Sequence, residues 1–137
     1  MTETGVAGAA TDGWNGVLGT EFVETTPDRV VLRCAVGPHV LGPTGSVHGG
    51  VYSSLIETAA SVGAAVWFAD RGDVVGVANS TSTLRSVDAG VLVVTATPVH
   101  RDDTQQLWRA DVSVDGRAVA VGEVRVANLA SAEVIGH

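Results

Sequence analysis

Runs of apolar and β-branched residues recur along this chain, in places alternating with polar ones, and Val and Thr fill much of them. Val17 to Thr25, Arg29 to Val36, Val74 to Leu84, Val91 to His100, Gln106 to Val114 and Arg117 to Leu129 therefore read as strands. Thr26-Pro27-Asp28 joins the first two as a hairpin, and Asp88-Ala89-Gly90 and Asp115-Gly116 separate later strands, Asp-Gly being a strong hairpin dipeptide. Gly37 to Val47, with two Pro and three Gly, is a loop. The pattern changes at Gly49 to Ala69, where Ala, Leu, Ile and Ser suit a helix, and Arg71-Gly72-Asp73 ends it. Asp12 is placed to cap a short helical turn carrying Trp14. Residues 1–11 lack any periodicity and read as a mobile tail before a single domain over residues 12–137. Two strands, a long helix and four strands make an α+β plan, one antiparallel sheet of about six strands wrapped around one helix.

Strands such as Val91-Leu92-Val93-Val94 are apolar on both faces, which predicts burial of the outer face by a second copy of the chain. Of 137 residues 45% are hydrophobic but only 4% aromatic, so the core is built from small and β-branched side chains. The net charge of -7, with no Lys and every base an Arg, argues against nonspecific nucleic-acid binding. Cys34 is the single cysteine and reads as a core residue; with no leader-like N-terminus, a reducing, cytoplasmic setting is expected. Glu57 interrupts the longest apolar stretch, so no membrane span and a soluble protein are expected.

That carboxylate is the sole charged side chain between Gly49 and Ala69. A carboxylate on a core helix is costly to bury unpaired, so its presence calls for a function; the alternative is that Glu57 simply points to solvent, where a polar stripe would normally also hold Lys, Arg or Asp. Ser54, Glu57 and Ser61 follow at i, i+3 and i+7, one polar stripe. His48-Gly49-Gly50 stands where the loop becomes the helix, so first-turn N–H groups and the positive end of the helix dipole face whatever lies beyond. Glycine there lets a carbonyl approach the backbone. His39, His48, His100 and His137 show no metal-ligand spacing with carboxylates or Cys34.

His48-Gly49-Gly50, with Glu57 nine residues after the His, resembles the hotdog-fold acyl-CoA thioesterases. It is most similar to the subgroup acting on aryl-CoA esters such as 4-hydroxybenzoyl-CoA and 1,4-dihydroxy-2-naphthoyl-CoA, related to the phenylacetate-pathway thioesterases. The resemblance spans about residues 15 to 130 and continues through Asn79 to Gly90 and Pro98 to Trp108. It implies hydrolysis of an acyl-CoA thioester, with CoA as part of the substrate and no cofactor or metal. Glu57 would act as nucleophile or as general base, the Gly49 N–H would bind the thioester oxygen, His48 would support the loop near the sulfur, and Ser61 would hydrogen-bond the carboxylate or the water. Gly50, Gly76, Thr83, Arg85, Ser86, His100, Arg101, Asp103 and Thr104 match positions that contact substrate or CoA, partly from a neighbouring subunit, with Arg85 and Arg101 as phosphate partners. Apart from the resemblance, Trp14, Trp67 and Trp108 read as core or interface residues, with a border of the acyl pocket as the alternative for Trp67, near the helix end. The resemblance also implies a homo-oligomer, a dimer at least and a tetramer as a dimer of dimers. Two departures stand out: Gly42 replaces the usual Asn or Gln six residues before the His, and Asp102 and Asp103 replace a Gly with a basic or hydroxyl residue. The same fold also serves non-catalytic modules that hold an acyl thioester or flat apolar ligand.

Overall fold

A computed structural model describes residues 12–131; the expected tail over residues 1–11 and His137 lie outside the described residues. In chain order the elements are α1 (Gly13–Leu18), β1 (Thr20–Thr25), β2 (Val30–Ala35), a 3-10 turn (Pro38–Val40), α2 (Gly49–Phe68), β3 (Gly72–Thr83), β4 (Val91–Arg101), β5 (Gln105–Val114) and β6 (Arg117–Ala130). The six strands form one antiparallel sheet in the order β1-β2-β4-β5-β6-β3. It curls around α2, the hotdog architecture expected.

Each predicted strand appears, with one correction at the start. Val17 and Leu18 belong to α1, because Gly19 takes a left-handed φ of 81° and closes the helix, its N–H bonding the carbonyls of Asn15 and Gly16. Leu18 is buried while Val17 is exposed, so one helical edge imitates strand alternation. Asp12 occupies the cap position without a side-chain cap bond. At the β5–β6 turn Asp115 and Gly116 both have positive φ, 51° and 78°, as a tight two-residue hairpin requires.

The inner face of the sheet gives Leu32, Val94, Trp108, Val112, Val124 and Val126 to the core, and α2 gives Tyr52, Leu55, Ile56 and Ala59. Cys34 is buried as expected, its Sγ donating to the Leu18 carbonyl at 3.2 Å, and burial pushes its thiol pKa up. Although α2 is long and apolar enough in composition to cross a membrane, half or more of it is packed inside the sheet.

The outer face is less apolar than the sequence implies. Val91 and Val93 are half-buried, but Arg109, Asp111, Glu123 and Arg125 are exposed on the neighbouring strands. Arg109 pairs with Asp111 at 3.2 Å and lies opposite Glu123 in the β5–β6 register. Exposed apolar side chains gather instead at β3 and its flanks, as Val75, Val77, Leu84 and Leu129. β3 is a 12-residue edge strand, bonded to β6 on one side only.

Candidate active site

The loop before α2 builds its first half. His48 is the N-cap residue, and its Nδ1 accepts the Gly50 N–H at 2.9 Å while its carbonyl accepts the Val51 N–H at 2.9 Å. An accepting Nδ1 places the proton of the neutral ring on Nε2, which faces away from the cap. With Gly50 and Val51 engaged, the Gly49 N–H meets no acceptor among the described residues and remains a donor at the positive end of the helix. Gly50 owes its identity to this cap: a Cβ there would stand 3.0 Å from His48 Nδ1. A Cβ on Gly49 would find only Thr83 Oγ1, at 3.9 Å. Gly42 also adjoins the site, its missing Cβ pointing at His48 Cδ2 from 3.6 Å, so the amide usual at that position would have lain against the His48 ring.

Glu57 follows on the same helix, and here the structure corrects the expectation of burial: within one chain its side chain is exposed. It lines an open cavity of about 530 Å³ with Trp14, Asn15, Ser53, Ser54, Thr58, Ser61, Val62 and Asn79. Ser54, Glu57 and Ser61 do share one face, as their spacing predicts, and Glu57 is the only ionisable group lining that cavity among the described residues. Ser61, however, makes no hydrogen bond to the carboxylate among the described residues. Asn79 of β3 does so instead, Nδ2 donating to Glu57 Oε1 at 3.3 Å. Gly76 of β3 faces the other oxygen; a Cβ there would sit 3.4 Å from Oε2 and 3.7 Å from Ser61 Oγ, filling the space around the carboxylate.

Asn79 and Trp14 are absent from the sequence-derived site. Asn79 opens the run Asn79-Ser80-Thr81-Ser82-Thr83, where β3 abandons apolar alternation, and that break was the readable signal. Trp14 is 56% exposed rather than core, and its Nε1 donates to Ser54 Oγ at 2.9 Å. Thr58 Oγ1 donates to Asn15 Oδ1 at 2.8 Å, so two bonds moor α1 across the middle of α2. Trp14 and Ser54 also line a neighbouring cavity of about 450 Å³ that includes His39, His48 and Gly50.

The expected CoA-contacting residues fall into three places. Gly76 and Thr83 lie along α2, as above. Arg85 and Ser86 line a separate cavity of about 470 Å³ with Asp88, Asp115 and Arg117, near the start of α2, where the Val87 carbonyl accepts the Val47 N–H. His100, Arg101, Asp103 and Thr104 lie toward its far end. Arg101 is not a free phosphate ligand: it donates to the Pro27 carbonyl at 2.7 Å and Asp28 Oδ1 at 2.9 Å, and its guanidinium stacks 4.9 Å from the Trp67 ring. Trp67 itself is sandwiched there, with Arg71 at 4.2 Å, and does not line the Glu57 cavity. Asp102 turns inward on its own hairpin. Its carboxylate pKa is held far below the usual range, first by His100 Nε2 at 2.8 Å and then by the N–H groups of Thr104 and Gln105 and the Thr104 hydroxyl. Asp103 is exposed, 3.8 Å from Arg71.

Arg101→Met should consequently lower stability by about 1–2 kcal/mol, through lost charged hydrogen bonds and stacking. Arg85→Ala should leave the thermal midpoint within a degree or two. Differential scanning fluorimetry of the pair checks this, and equal midpoints would overturn the structural role of Arg101.

Comparison with known proteins bears on the family and the fold. Residues 44–126, more than half the chain, match the family model of the thioesterase superfamily. The Mycobacterium tuberculosis protein Rv1847 is 44% identical over 116 residues, 82% of this chain and 83% of its own length. The 1,4-dihydroxy-2-naphthoyl-CoA hydrolase of Listeria monocytogenes is 32% identical over 101 residues, 74% of this chain and 82% of that enzyme. A variant of thioesterase PA1618 from Pseudomonas aeruginosa superposes with a TM-score of 0.87 over 95% of each chain; at 19% identity it speaks for the fold.

Proposed function

The chain belongs to the thioesterase superfamily, and from that membership we propose that it hydrolyses an acyl-CoA thioester, an aryl-CoA ester by preference, with Glu57 and the Gly49 N–H as the catalytic groups. The observation that carries the reading is their placement. Among the described residues, one unengaged backbone donor stands at the start of α2, and one carboxylate stands two and a half turns along the same helix, in an open cavity without another ionisable group. The Gly49 N–H binds the thioester oxygen as negative charge develops there. Glu57 Oε2, the oxygen not bonded by Asn79, either takes a proton from a water whose oxygen adds to the carbonyl carbon, or adds to that carbon itself. The C–S bond then breaks and CoA leaves as its thiolate, which takes up a proton. In the second route water afterwards cleaves the acyl-Glu57 anhydride. His48 keeps the donor loop in place, and its Nε2–H is available to the leaving sulfur.

The preference for a flat acyl group rests on Trp14 and Val62, apolar walls of the Glu57 cavity, and on the substrate named for the Listeria relative. Arg85 and Ser86 supply contacts to the CoA arm, with the exposed His100 and Thr104 as further ones. These groups lie toward opposite ends of α2, and an arm reaching both from one Glu57 calls for a neighbouring subunit. Pairing of two β3 edges would provide the dimer and cover the exposed cavity; a tetramer would be two such dimers. A cytoplasmic setting and freedom from added cofactors complete the reading.

Thiol release measured across aryl-, short- and medium-chain CoA esters tests it. Turnover of an aryl ester supports the proposal. Tight binding without thiol release from any ester would instead favour a binding module, the reading to which Gly42, lacking the usual amide beside His48, is most congenial. Trp14→Ala should lower kcat/KM about tenfold for benzoyl-CoA and less for acetyl-CoA, since a flat ring loses its aromatic wall. The ratio of the two values is independent of the amount of active protein, and an unchanged ratio would remove Trp14 from the acyl site.

A further inference from the structure

We infer that Asn79 is the positioning residue for Glu57, its side-chain amide holding Oε1 so that Oε2 alone faces the substrate. The inference rests on the thioesterase reading and adds to it a residue from β3, the strand beside α2. Every polar atom of Asn79's side chain is assigned by geometry. An amide nitrogen carries two protons, and two acceptors are present: Glu57 Oε1 at 3.3 Å and the Ser53 carbonyl at 3.0 Å. Ser53 and Glu57 are four residues apart on one face of α2, so a single amide bridges a turn of the helix.

What prevents the amide from flipping is the pair of acceptors, and Thr81 anchors the oxygen that they leave free. Its Oγ1 donates to Asn79 Oδ1 at 2.7 Å. A flipped side chain would turn its oxygen toward the Glu57 carboxylate and the Ser53 carbonyl, setting acceptor against acceptor at both places. Those two acceptors therefore fix the orientation in which Asn79 donates to Glu57, and the Thr81 bond, two residues along the same strand, holds the amide in place there. Gly76, three residues earlier on β3, keeps the opposite side of the carboxylate open by lacking a Cβ 3.4 Å from Oε2. One oxygen is held and the other is cleared, and both effects come from β3. An exposed glutamate would otherwise sample several rotamers, and fixing it ahead of the reaction is worth rate.

The experiment compares Asn79→Ala, Thr81→Val and the double variant on an aryl-CoA ester that the unaltered protein turns over. Loss of one hydrogen bond to a charged group should lower kcat for Asn79→Ala by roughly 10- to 150-fold, with KM little changed. Thr81→Val keeps the shape and should cause a smaller loss. The double variant should match Asn79→Ala alone, because Thr81 acts only through Asn79. An unchanged kcat, a rise confined to KM, or losses that multiply in the double variant would overturn the inference. A second readout needs no turnover: the side-chain amide resonances of Asn79, assigned by their loss in Asn79→Ala, should move in Glu57→Gln and in Thr81→Val. If they stay put in Glu57→Gln, the pairing does not exist in solution. Failure of the unaltered protein to hydrolyse any ester overturns the thioesterase reading, while the resonances still decide whether Asn79 holds Glu57.

Discussion

Glu57→Gln should abolish thioester hydrolysis, lowering kcat by at least about 10²- to 10⁴-fold, the range for a group that moves a proton in the transition state. Glutamine keeps the length of the side chain and leaves Oε1 in place to accept from Asn79, so the geometry of the cavity is preserved. It loses the negative charge and the basic Oε2. Because Glu57 is exposed and makes no ion pair among the described residues, the substitution should change stability by less than about 0.5 kcal/mol. Separation of activity from stability is what identifies a catalytic group. Steady-state thiol release beside thermal unfolding checks it, and retention of a third of the normal turnover would sink the mechanism.

Structure and sequence reach Glu57 by different arguments. In the sequence its isolation on an apolar helix implied an expensive burial; in the structure the stripe of Ser54, Glu57 and Ser61 opens into a cavity. The stripe was legible because helical spacing is a local property, and so were the six strands, whose β-favouring runs and bounding turns are written into adjacent residues. The partners were not legible. Asn79 reaches Glu57 across 22 residues, Trp14 reaches Ser54 across 40, and Arg101 finds Asp28 across 73. No local pattern records such contacts, which is why Asn79 was not read as a partner of Glu57 or Asp28 as that of Arg101. The end of α1, though not its existence, was missed for the opposite reason. Six residues are too few for helical periodicity to outweigh two apolar side chains before a strand, and Gly19, the decisive residue, acts through its backbone.

Gly63→Val should be among the most destabilising single substitutions in the core, at about 3 kcal/mol, and Trp108→Ala should cost about 3–5 kcal/mol. The two residues are one contact. A Cβ on Gly63 would lie 2.5 Å from Trp108 Cη2 and 2.7 Å from Cζ3, so α2 approaches the sheet only because that position has no side chain. Nor can the indole retreat. Trp108 is fully buried, and its Nε1 donates to Gln106 Oε1 at 2.8 Å. Gln106, also fully buried, donates from Nε2 to the Ala64 carbonyl at 3.2 Å and to Asn128 Oδ1 at 2.9 Å, and Asn128 donates to the Asp102 carbonyl at 2.9 Å. This chain ties β5 to the helix residue next to Gly63, so pushing the ring aside breaks bonds that leave polar groups buried and unpaired. The double variant tests the account. With the indole gone, the valine enters the vacated space, and the combined loss should fall short of the sum of the single losses by at least about 1 kcal/mol. Urea unfolding at one fixed protein concentration, which holds any subunit equilibrium constant, measures all three. Additive losses would mean that Gly63 and Trp108 act on stability separately, and that the closeness of helix and sheet is set elsewhere.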